Sequence, residues 1–261
     1  MVKINSVRDL VGIAASAAVS LSLAGAAGAL TEKAGFPVLV DLERNRPVES
    51  SPSMGDINGD GRDEIVVGCK DGNVYAFDGR GQLLAGWPVM TGDTVAGSPA
   101  IGDIDGDKRD EVIIGSDDGN IYALNGDGTA VPGWPVSTGG AVRSTAAVAD
   151  IDGDMRDDVI VGSSDGKVYA LSGNGSPIIG WPVRVGGGVE SSPAVADVDG
   201  DDLPEVAVGA DDGNVYLIDD DGKIVPGWPV ETRYYVRSSP AIGDIDNDGS
   251  LEIIVGSDDF N

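Results

Sequence analysis

Five stretches of this chain carry side-chain oxygens at alternate positions: DINGDGRDE from Asp56, DIDGDKRDE from Asp103, DIDGDMRDD from Asp150, DVDGDDLPE from Asp197 and DIDNDGSLE from Asp244. Positions one, three, five and nine supply the oxygens. The sets are Asp56, Asn58, Asp60 and Glu64; Asp103, Asp105, Asp107 and Glu111; Asp150, Asp152, Asp154 and Asp158; Asp197, Asp199, Asp201 and Glu205; and Asp244, Asp246, Asp248 and Glu252. Position seven, held by Arg62, Arg109, Arg156, Leu203 and Ser250, can add its backbone carbonyl. Alternate side chains converge where a strand ends in a tight turn. Hard oxygens in that number suit Ca²⁺, which takes about six to eight of them, better than Mg²⁺ with its strict octahedron. The chain has no histidine and one cysteine, which argues against zinc or copper. The competing reading is a solvated acidic turn. It is the weaker one, because clustered like charges without a cation repel. Up to five Ca²⁺ are expected.

The elements that must position these loops follow from a period. Asp56, Asp103, Asp150, Asp197 and Asp244 are 47 residues apart, and so are Tyr75, Tyr122, Tyr169 and Tyr216. Trp87, Trp134, Trp181 and Trp228 keep the same spacing, each in GWPV. A fixed period of this size marks a repeat architecture. One unit reads as four short strands, exemplified by residues 238–245, 111–116, 120–125 and 133–136. The DDG at 117–119 supplies the positive-φ residues of a hairpin between the second and third strands, and NGDG at 125–128 turns the chain after the third. The 40 glycines suit so many turns. No stretch beyond the N-terminal leader shows a sustained helical period. The expected fold is therefore all-β, a β-propeller of about five four-stranded blades. GFPV at 35–38 resembles a fourth strand with nothing before it, and the last repeat stops where its third strand would begin. The N-terminal strand is expected to close the last blade. The one missing strand implies truncation at the C-terminus or, less favoured, residues 36–42 in the third-strand place.

Residues 1–29 form a separate object. Lys3 and Arg8 precede an uncharged Ala/Gly/Ser-rich run with small-residue cleavage sites, which reads as a signal peptide, or alternatively a retained N-terminal anchor. Residues 30–34 are a short linker and 35–261 the propeller. A net charge of −27 excludes nucleic acid as a partner, since phosphates demand clustered Lys and Arg. The absence of histidine removes Ser-His-Asp and Cys-His catalysis. Cys69 aligns with Ser116, Ser163, Ala210 and Ser257, a small residue on a buried strand.

With these five loops in view, the repeats resemble the FG-GAP or VCBS-type repeats of integrin α-subunit propellers and bacterial surface proteins, over residues 35–261. The resemblance implies that each D-x-[DN]-x-D-G-x-x-[DE] loop joins the first two strands of a blade and binds Ca²⁺. The chain departs from the pattern at position six. Gly61 and Gly249 fit, whereas Lys108, Met155 and Asp202 would be strained by a positive φ there, making those three sites weaker or differently turned.

The Trp and Tyr that recur once per blade are expected to pack between blades, not to stack on sugars. The loops from strand four to the next strand one differ most between copies. There Arg233, Tyr234 and Tyr235 stand against Gly-rich counterparts, and Arg143, Glu190 and Arg237 share one position near the expected channel mouth. Exposed Tyr and Arg are favoured in interfaces. The expectation is a secreted or cell-surface adhesion or recognition module for a glycan or extracellular protein, not an enzyme, with membrane contact only if the leader is kept as an anchor. The alternatives are a structural module of a larger surface protein and a polysaccharide lyase-like propeller. Against the lyase, the five acidic loops are too alike to be one active site, which needs carboxylates of unlike pKa.

Overall fold

The computed structural model describes residues 34–36, 38, 40 and 46–258. Strand follows strand with no helix among them, and no helix there is long and apolar enough to cross a membrane. The first sheet contains β1 (Ser53–Gly55), β2 (Glu64–Gly68), β3 (Asn73–Phe77) and β4 (Val89–Met90). The second contains β5 (Ala100–Gly102), β6 (Glu111–Gly115), β7 (Asn120–Leu124) and β8 (Val136–Ser137). The third contains β9 (Ala147–Ala149), β10 (Asp158–Ser163), β11 (Lys167–Leu171) and β12 (Val183–Arg184). The fourth contains β13 (Ala194–Ala196), β14 (Glu205–Gly209), β15 (Asn214–Ile218) and β16 (Val230–Glu231), and the pair β17 (Ala241–Gly243) and β18 (Glu252–Ile254) begins a fifth. Each complete sheet is an antiparallel meander in sequence order, as a blade requires. The first strands neighbour one another from β1 through β5, β9 and β13 to β17, and the series stays open among the described residues.

The second strand of each complete blade is buried along its whole length, which is why it reads as a continuous apolar run and not an alternating one. Its two faces meet two different blades. One core cluster joins Ile160 and Val168 of the third blade to Val206, Val208 and Tyr216 of the fourth, so the core lies between blades. The hairpin glycines behave as DDG predicts: Gly119 has φ +86° and donates its N–H to the Ser116 carbonyl.

Two strand boundaries differ from the sequence reading. GWPV is not the fourth strand. The Trp134 N–H is spent on the Val131 carbonyl and proline has no N–H to give, so pairing starts only at Val136, opposite Ile121. The first strand of the fifth repeat spans Ala241–Gly243, not 238–245. Pro240 cannot donate to a ladder, Ser238 spends its hydroxyl on the Gly256 carbonyl, and Asp244 already belongs to the loop.

Residues 1–33, which hold the expected leader and most of the linker, lie outside the described residues. Gly35 sits where an added Cβ would meet the Arg80 carbonyl oxygen at 1.8 Å, and Gly86 sits likewise on Asp127 at 1.8 Å. Gly35 thus stands against the first blade as Gly86 stands against the second, while most of residues 36–42 lie outside the described residues.

Candidate metal centres and the opposite loops

Position nine opens the second strand of each blade and pairs with the last residue of the first: Gly55 with Glu64, Gly102 with Glu111, Ala149 with Asp158, Ala196 with Glu205 and Gly243 with Glu252. That register carries the carboxylate under the loop. Glu64, Glu111 and Glu205 are 1% exposed and Asp158 2%. In four loops one position-nine oxygen accepts the position-two N–H, as in Ile104 N to Glu111 Oε2 at 3.0 Å and Val198 N to Glu205 Oε2 at 2.6 Å. In loop four the other oxygen, Glu205 Oε1, is buried with no hydrogen-bond partner, and in loop one Glu64 Oε2 is likewise buried and unpartnered.

The rest of the loop is wound by its own side chains. The position-one Oδ2 accepts the position-six N–H in all five loops, at 2.8 Å for Gly61, 3.0 Å for Lys108, 2.8 Å for Met155, 3.1 Å for Asp202 and 3.0 Å for Gly249. Position five accepts the position-seven N–H in loops two to five. Positions four and six have positive φ in every loop, including Lys108 (72°), Met155 (67°), Asp202 (76°) and Asn247 (67°). Lys108, Met155 and Asp202 therefore do not turn differently. The position-one carboxylate holds them in the left-handed region that glycine would enter freely.

Carboxylates converge in four loops. One oxygen from each of Asp103, Asp105 and Glu111 lies within 4.8 Å of the others, and likewise for Asp150, Asp152 and Asp158, for Asp197, Asp199 and Glu205, and for Asp244, Asp246 and Asp248. Asp107, Asp154, Asp201 and Glu252 stand outside these trios, and loop one has Asn58 where the others have aspartate. The electrostatics match the crowding. Burial first, and then Asp105, push Glu111 up to about 7. Burial does the same to Asp158, to about 7, with Asp152 and Asp154 adding to it. Burial likewise raises Glu64 and Glu205. These four repeat-wise acidic groups could bind metal ions. Glu205, anchored through one oxygen and with the other buried and unpaired beside Asp197 and Asp199, is what a hard cation would complete.

A family model described as the FG-GAP-like repeat matches residues 56–114, 103–161, 150–208 and 197–255. The chain belongs to the FG-GAP-like repeat family. No curated protein matches it. Among solved structures it is similar to BBS1N in the BBS1N–ARL6DN complex, with TM-score 0.55, 16% identity, and 84% of this chain on 63% of that one. It is similar to BamB from Moraxella catarrhalis, with TM-score 0.55, 20% identity, and 81% on 62%. It is similar also to the computationally designed Ika8 protein, with TM-score 0.54, 18% identity, and 78% on 57%. At these identities the likeness concerns the fold alone, and this chain spans less than two thirds of each.

The FG-GAP blades lock together through the recurring aromatics, as expected. Trp87, Trp134 and Trp181 donate Nε1–H to the carbonyls of Gly126, Gly173 and Asp220 in the next blade. Each recurring tyrosine donates to an aspartate of its own hairpin, Tyr75 to Asp71 at 2.6 Å and Tyr122 to Asp118 at 2.6 Å. This latch was readable as the fixed D-G-x-x-Y spacing but was not singled out from sequence.

On the face with the DDG hairpins, Arg143, Glu190 and Arg237 do come together. Arg143 pairs with Asp117 at 2.8 Å and with Glu190 at 3.2 Å, while Arg237 pairs with Asp211 at 2.9 Å and Glu190 at 3.7 Å. Arg237 also lies 4.8 Å from the Tyr235 ring centre. Tyr234 and Tyr235 meet edge to face at 6.4 Å and remain exposed, as does Arg233. The two Arg of the shared position are thus already engaged by the protein's own carboxylates.

Proposed function

We propose that this FG-GAP protein is a Ca²⁺-binding recognition module, secreted or displayed at a cell surface, that binds a glycan or protein ligand and performs no catalysis. The observation that carries the Ca²⁺ reading is the pair of buried, unpartnered oxygens on Glu64 and Glu205 beneath wound, oxygen-rich loops. Positions one, three and nine would hold the ion in loops two to four, with position five in place of nine in loop five. Bound there, the ion supplies positive charge that cancels carboxylate repulsion and cross-links the first two strands of a blade. Recognition is supported by the individual loops of the opposite face, where exposed Tyr234 and Tyr235 offer the amphipathic rings that interfaces favour.

Three measurements test this. Calorimetric titration of the chelator-stripped chain should show Ca²⁺ binding at more than one site, with Mg²⁺ weaker. A glycan array and a polysaccharide cleavage assay in Ca²⁺ should show retention of a glycan without cleavage. Cleavage of any polysaccharide would overturn the non-catalytic reading.

A further inference from the structure

We propose that the cleft between the first and second blades, on the Ca²⁺-loop side, binds an uncharged sugar ring. The inference rests on the recognition reading above and moves its glycan site away from the variable loops.

The cleft has a volume of about 490 Å³, within the range of small-ligand sites. Two departures from the repeat favour an opening here. Ala85 takes the place held by Pro132, Ile179 and Pro226 at the later junctions, and Asn58 takes a place that is aspartate in every other loop. Ile179, the equivalent of Ala85 in the third blade, is a large side chain at an exposed position, 94% accessible.

The walls differ in chemistry. Ile57, Leu84 and Ala85 provide an apolar strip. Arg109 lies over the loop-one backbone, its Nε 3.5 Å from where a Cβ on Gly59 would be, and enters none of the ion pairs among the described residues. Asn58 spends Oδ1 on the Asp60 N–H at 2.9 Å, which leaves its Nδ2 donors unused. Across the cleft, Thr129 gives both its N–H and its hydroxyl to Asp127 Oδ1, and Asn125 Nδ2 donates to Thr129. That network fixes the turn and leaves Asp127 Oδ2 and Asn125 Oδ1 as unused acceptors.

Donors on one wall, acceptors on the other and an apolar strip between them match a saccharide. Its hydroxyls each donate and accept around the rim, and its C–H face is apolar. With Glu111 committed to the ion, Asp107 and Asp127 still outnumber Arg109, the one cation among the lining residues, and this excess of carboxylate disfavours uronates and sulfated sugars.

The test uses the full chain in Ca²⁺. A glycan array is followed by calorimetric and NMR titration with maltotriose, cellotriose and lactose, and with trigalacturonate as the acidic counterpart. We expect a neutral saccharide to bind and trigalacturonate not to. Ala85→Ile, which adds bulk to an exposed lining residue, and Arg109→Leu should each weaken binding at least tenfold with an unchanged melting temperature. Neutral-glycan binding that survives both substitutions overturns the cleft while leaving glycan recognition standing. Binding of acidic glycans alone overturns the ligand class. No glycan bound by the folded chain overturns the cleft and glycan recognition together.

Discussion

Two carboxylates set the behaviour of the metal-free protein at the scale of single residues. Glu111 and Asp158 are pushed up to about 7 from ordinary values of 4.5 and 3.8. Their contribution to stability is fully present below those ordinary values and is lost as pH rises through about 7. In chelator the melting temperature should therefore fall between about pH 4 and pH 7. In saturating Ca²⁺ it should rise over the same window, because the ion takes only ionised ligands. Parallel curves in the two buffers would dismiss position nine as a ligand. Asp110 offers a second check. Burial raises it first, then Asp103, Asp56 and Asp63, so it adds repulsion between the first two loops. Asp110→Asn should raise the midpoint of chemical denaturation in chelator. Met155 tests the turn: it is 91% exposed at φ 67°, so Met155→Gly loses no packing and relieves the left-handed penalty. A gain of up to about 1 kcal/mol is expected, where glycine in an ordinary strand position costs about that much.

At the scale of elements, the strand pairings hold each blade together, and the buried core and the GWPV turns hold one blade to the next. Trp134 is 6% exposed and bonds to the Gly173 carbonyl. Trp228 is only partly buried and makes no such bond among the described residues, and nothing lies within 4 Å of a Cβ added at Gly227. Trp134→Ala should cost about 3–5 kcal/mol. Trp228→Ala should cost well under half of that, as read by urea denaturation. Equal losses would mean that Trp228 is covered in solution.

The described residues form an open series of blades, and the whole chain bears a net charge of −27. Because the acidic loops all belong to strand-one-to-strand-two connections, their repulsion adds along one side. Ca²⁺ removal should lower the melting temperature of the chain as a unit, by mass action on the native state alone. The size of the shift should grow with the logarithm of Ca²⁺ above its Kd. A melting temperature indifferent to chelator would count against Ca²⁺ at these loops.

Period and chemistry were legible in the residues alone. A 47-residue recurrence of Asp, Tyr and Trp is local information copied along the chain, and it specified the blades, the hairpins and the oxygen-bearing loops. Tertiary structure decided what depends on neighbours. It buried position nine in the four complete blades, because the strand-one to strand-two register draws that residue between blades. It kept Lys108, Met155 and Asp202 in the glycine-like turn, because a carboxylate five residues earlier holds their N–H. It paired Arg143 and Arg237 with aspartates 26 residues away in sequence, which no local pattern announces. It joined Asn58, Ala85, Arg109 and Asp127 in one cleft, since residues from two blades meet only when the blades pack.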